Sequence, residues 1–175
     1  MRLAGLVLLI VFLSGCISGT VTKTRPTDGL EIVGGEEFVQ ATENALNLLR
    51  VSPEYQDIVG GIGRIREADR SGMDVYEEVP TFEVAYRSWN HSSNRYAGII
   101  AHDSCHSRLY FTAKAEKHAE PSADVWTGKY AEQKCLDYQI RVLSDLGADK
   151  GTMEYLRGLR VNPTYQDVGY GSRDW

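Results

Sequence analysis

Between residues 94 and 117 the apolar and histidine side chains follow a helical period, with Ile99, His102, His106 and Leu109 at spacings of three, four and three. That spacing predicts one long helix whose apolar face carries both histidines. Residues i and i+4 stand one above the other on a helix, so the two imidazoles can converge on a single ion. The rest of the chain has to form a core against this helix. Residues 36–50 place Phe38, Ala41, Ala45, Leu48 and Leu49 at helical spacing. A second helix is expected from Ser52 as cap and Pro53 at its first position, with Tyr55, Ile58, Val59, Ile62 and Ile65 on one face; Gly60, Gly61 and Gly63 weaken it. Between Met73 and Trp89 the period changes to two, with Phe82, Val84 and Tyr86 alternating with Glu83, Ala85 and Arg87. One or two short strands, paired as a hairpin, fit that pattern. A last long helix is expected over residues 129–146, with Gly147 at its C-terminal cap. The expected class is α+β, mostly helical with a short antiparallel sheet.

The first residues set the domain boundaries. Met1 and Arg2 precede an apolar run over residues 3–13 that is short for a membrane span and reads as the core of a signal peptide. Leu13, Ser14, Gly15 and Cys16 follow, and this ending resembles the lipobox of lipoprotein signal peptides, in which the cysteine becomes the lipid-bearing first residue. The resemblance implies export and a membrane anchor through a lipid at Cys16, without a transmembrane helix. The expected organisation is a signal peptide over residues 1–15, a Thr/Gly/Ser-rich linker over 16–35 and one globular domain over 36–175. A composition of 42% hydrophobic and 25% charged residues suits such a domain. Loss of Arg2 with the signal peptide takes the formal charge from −5 to −6, which argues against nucleic acid as a partner. With Cys16 assigned to lipid, Cys105 and Cys135 remain as an even pair, a disulfide in an oxidising compartment or two reduced thiols packed as small hydrophobes.

The pentapeptide His102-Asp103-Ser104-Cys105-His106 resembles the H-E-x-x-H signature of the zincin metallopeptidases, with Asp in place of Glu. The resemblance implies Zn2+ held by His102 and His106, peptide hydrolysis, and Asp103 as general base. In gluzincins the third ligand is a Glu on a later helix, which points to Glu132, 26 residues after His106. Its place on the apolar stripe with Leu136, Ile140 and Leu143 fits, because a buried carboxylate needs a partner. His118 is the alternative third ligand. The longer signature with a third histidine fails at Thr112, and the acid that often orients a gluzincin histidine is replaced by Leu136, with Asp137 one place late. Cys105 follows His102 by three residues and Cys135 follows Glu132 by three, so a bond between them would join the helices at the height of the three ligands. Zincins bind extended peptide along a strand edge, here assigned to residues 82–89, with Tyr86, Arg87 and Tyr110 as candidate substrate contacts or core aromatics. Asp103 has one methylene fewer than Glu, leaving two readings, a slow peptidase and a silent metal-binding or protein-binding module.

One repeat stands apart. Residues 49–58 and 159–168 are identical at seven of ten positions, sharing Leu-Arg-Val, a proline and Tyr-Gln-Asp. A helix stop followed by a proline-led turn explains the proline but not Tyr-Gln-Asp.

Overall fold

The computed structural model describes residues 21–25 and 29–161. The lipobox with Cys16 and all but the first residues of the second repeat copy lie outside the described residues. The fold is α+β. Strands β1 (Val21–Arg25), β2 (Leu30–Gly34), β3 (Arg64–Ala68), β4 (Gly72–Asp74) and β5 (Thr81–Ala85) form one sheet in the order β1-β2-β3-β5-β4. The sheet therefore starts inside the stretch expected to be a linker. The pairs β2/β3 and β3/β5 are parallel, whereas the outer pairs β1/β2 and β5/β4 are antiparallel. The expected hairpin is β4/β5.

Register explains which face is buried. Ile32, Ile65, Phe82 and Met73 stand opposite one another across four strands, a single apolar row turned toward the helices. The neighbouring rows carry charge on the other face. Arg64 bonds Glu31 at 2.6 Å and Glu77 at 2.9 Å, and Arg66 bonds Glu77 and Glu83, both at 2.7 Å. Opposite charges on facing strands hold the register.

Seven helices complete the described chain: α1 (Glu36–Leu49), α2 (Tyr55–Gly60), α3 (Tyr86–Trp89), α4 (Ser93–Lys117), α5 (Ala123–Thr127), α6 (Lys129–Asp145) and α7 (Lys150–Val161). Three expectations need correction. Helix α2 starts at Tyr55 rather than at Pro53, because Ser52 Oγ accepts from the Glu54 N–H at 3.2 Å and forms a turn before the helix. It also ends by Gly61, so Ile65 belongs to β3. Finally, the strand expected to reach Trp89 stops at Ala85, and residues 86–89 form a single helical turn that packs Trp89 edge-on against Phe38.

Helix α4 is the central element. Ser92 caps it, its Oγ accepting from the Arg95 N–H at 3.4 Å, and it lies against α1, the sheet and α6. Gly98 allows close approach to α6: a Cβ there would come 2.6 Å from Leu143 Cδ1. Helix α6 stops as expected. Gly147 has φ +67°, its N–H bonds the Ser144 carbonyl, and the Ala148 N–H bonds the Leu143 carbonyl, the paired bonds of a Schellman cap. No helix among the described residues is long and apolar enough to cross a membrane.

Candidate metal centre

Helices α4 and α6 bring His102, His106 and Glu132 together. His106 Nε2 lies 3.0 Å from His102 Nε2 and 3.5 Å from Glu132 Oε1, and His102 Nε2 lies 3.2 Å from Glu132 Oε2. The three residues can offer one donor atom each to a common metal ion. His106 and Glu132 are buried, and His102 is half-buried.

The surrounding protein orients one histidine more firmly than the other. His106 Nδ1 stands 2.5 Å from the Trp126 carbonyl oxygen, which can only accept, so Nδ1 carries a proton and, in the neutral imidazole, Nε2 is the nitrogen left to face the cluster. The short helix α5 exists in the right place to present that carbonyl, with Trp126 packed edge-on against Tyr110. His102 Nδ1 is buried and meets no hydrogen-bond partner among the described residues. Sequence reasoning sought an acid near Leu136 as the orienting group and missed Trp126, because a backbone carbonyl leaves no mark in residue identities. Asp137 instead pairs with Arg160.

The cysteines form the expected disulfide, Cys105 to Cys135, with Cα atoms 5.4 Å apart. His118 sits at the exposed C-terminal cap of α4 in the left-handed region, φ 51°, and does not join the cluster. The triangle forms the floor of a cavity of about 840 Å³ between β4, α3 and the α6/α7 pair. Asp103 also lines this cavity but stands outside the donor triangle. The strand edge beside the site is not the one expected. Strand β5 is interior, and β4 is the outer strand, with Gly72 and Met73 on the cavity wall. Of the aromatic and basic candidates, Arg87 lines the cavity, Tyr86 packs edge-on against Trp89, and Tyr110 is buried with its hydroxyl on Glu120.

Burial and charge act against each other here. Burial works against the Glu132 carboxylate, but the two imidazoles outweigh it and hold its pKa well below the ordinary range. At His106 burial opposes the imidazolium, while Glu132, then Asp103 and the Trp126 carbonyl, raise the pKa on balance. Burial raises the Asp103 pKa against the pull of the histidines. In metal-free protein the Glu132 contribution to stability is present above the ordinary value of 4.5 and lost as pH falls. The His106 contribution is full below 6.5 and lost as pH rises through its folded value, and the raised Asp103 pKa acts in the same direction. Chelator-treated protein should therefore melt at a higher temperature near about pH 6 than near about pH 8.5. A thermal unfolding series that is flat or inverted would show that the cluster is not charged in this way.

Comparison with protein families, characterised proteins and solved structures finds no match to this chain.

Proposed function

We propose that the protein is a zinc-dependent peptidase-like domain, exported and held at a membrane by a lipid on Cys16. The observation that carries this reading is the donor cluster: the two imidazole Nε2 atoms lie 3.0 Å apart, each faces a different oxygen of Glu132 at 3.2 and 3.5 Å, and one donor atom from each residue fits within 4.8 Å. Tetrahedral zinc with bonds of about 2.0–2.1 Å requires donors roughly 3.3 Å apart. Two imidazole nitrogens and one carboxylate are a zinc donor set, and three protein ligands leave a position open. Zinc in such a site acts as a Lewis acid and brings the ionisation of water near neutral pH.

The residues of the chain supply the rest. Asp103, on the cavity side of α4, takes the proton of the attacking water and returns it to the departing amine. The outer edge of β4 offers backbone groups to an extended peptide lying over the floor. The disulfide suits an oxidising, extracytoplasmic compartment, and the acidic surface suits a peptide rather than a nucleic-acid partner. Asp in place of Glu at position 103, one methylene shorter, favours a second reading, in which the centre binds zinc without efficient turnover.

Elemental analysis decides the metal part. Residues 17–175, purified without chelator, should hold about one zinc per chain, and His106→Ala and Glu132→Ala should lose it. Wild-type protein that takes up none, even after zinc is added, would reduce the two histidines to core packing.

A further inference from the structure

The cavity that contains the donor triangle is basic at one end. Arg70, Arg87 and Arg95 line it, against Asp103 and Glu132 as its carboxylates, in a chain whose acidic residues outnumber its basic ones by 24 to 19. Glu132 stands in the triangle and Asp103 beside it on α4, where a divalent ion would offset them, so Arg70 and Arg95 set the field over the rest of the cleft. Arg95 lies over the Tyr155 ring at 5.5 Å, and among the described residues no carboxylate pairs with Arg70 or Arg95. His91 adjoins this end but adds no charge near neutral pH, because burial and then Arg95 lower its pKa.

Position along the fold fixes what these arginines can reach. Arg95, Ile99, His102 and His106 form one stripe of α4, and seven residues of helix separate Arg95 from His102 by about 10 Å. Arg70 and Arg87 lie at the same end, because Ser71 just before β4 binds the Ala85 N–H where β5 passes into α3. Strand β4 runs from this basic end toward Val75, which packs with Tyr110 and Trp126. A peptide added antiparallel to β4, the slightly more stable pairing, therefore runs toward the arginines with its C-terminal side. At about 3.3 Å per extended residue, 10 Å is roughly three residues.

We infer that the cleft selects peptides bearing a carboxylate about three residues C-terminal to the bond over the donor triangle, bound by Arg70 and Arg95. The inference rests on the peptidase reading for its register. The carboxylate can belong to a Glu or Asp side chain or to the end of the peptide. Guanidinium groups suit either, since they bind carboxylates through two parallel N–H donors.

The test uses the full chain loaded with zinc. Labelled peptides carry an N-terminal hydroxamate, which anchors on the metal and sets the register. One has Glu as third residue, one Gln, both amidated, and one ends after a third-residue Gln with a free carboxylate. By fluorescence anisotropy the Glu peptide or the free-ended one should bind about tenfold tighter than amidated Gln at low salt. Which of them gains identifies the source of the carboxylate. Arg70→Gln/Arg95→Gln should remove the preference and leave the zinc content unchanged. Equal binding of all three peptides to zinc-loaded protein would overturn the inference while the metal reading stands. If the chain holds no zinc, acetylated Glu and Gln peptides separate the claims: a Glu preference lost in the double variant upholds the arginine site without the peptidase, and no preference overturns both.

Discussion

Asp103→Glu should raise peptide hydrolysis by the zinc-loaded protein about 100-fold over wild type, with zinc content unchanged. The reason is reach. The residue after the first histidine lies on the cavity side of α4 yet outside the donor triangle. One methylene moves a carboxylate by about 1 Å, and a misplacement of that size costs on the order of 100-fold in rate. The cavity has room for the longer stem, so the substitution need not disturb α4. Asp103→Ala distinguishes the two readings of the wild type. If wild-type protein already cleaves casein and Asp103→Ala abolishes this, Asp103 works as the base in spite of its length. If wild-type protein is silent and Asp103→Glu is active, the site is a zinc-binding centre that lost its base. Zinc-loaded wild type and Asp103→Glu that are both silent would remove Asp103 from the mechanism.

The parts of this arrangement that could be read in the sequence are those in which burial and periodicity agree. Helix α4 has its two histidines on a stripe with Ile99, and α6 carries Glu132 on the stripe of Leu136 and Leu143. Both were visible from spacing, and the third ligand was what the gluzincin resemblance implied, supported by the need of a carboxylate in an apolar row for a partner. The sheet was much less legible. Strand β3 reads Arg-Ile-Arg-Glu-Ala, with Ile65 alone buried, because its arginines pair with Glu31 and Glu83 on the neighbouring strands and with Glu77 in the loop between β4 and β5. Without those partners in view the segment looks like a polar helix end. Helix α7 does carry an apolar stripe, Met153, Leu156 and Leu159 at spacings of three against α6, but the sequence expectations place no element there; Gly151 and Gly158 lower its helical propensity. The edge beside the site was misplaced for a related reason. Strand β4 has three residues, none fully buried, and its role comes from its position outside β5 rather than from its composition.

Loss of the Cys105–Cys135 bond should destabilise the domain by about 3 to 4 kcal/mol while leaving the zinc stoichiometry intact. The bond closes a loop of 30 residues, which is long enough for its main effect to be on the unfolded chain. That loop holds the end of α4, all of α5 and the first turns of α6, and so includes His106, Trp126 and Glu132. In the folded state other contacts hold the same elements. Cys135 is fully buried, Gly98 admits Leu143, and the Trp126 carbonyl holds His106. The donor triangle should therefore persist when the link is cut. Cys105→Ala/Cys135→Ala also removes buried sulfur, so the measurement pairs it with wild type under reductant, which keeps the volume and opens the loop. Urea unfolding of both, with zinc and with chelator, should show similar losses. A loss confined to the alanine variant would assign the effect to packing. Zinc lost from both would show instead that the triangle needs the covalent link to form, and that the disulfide is part of the metal centre rather than a brace behind it.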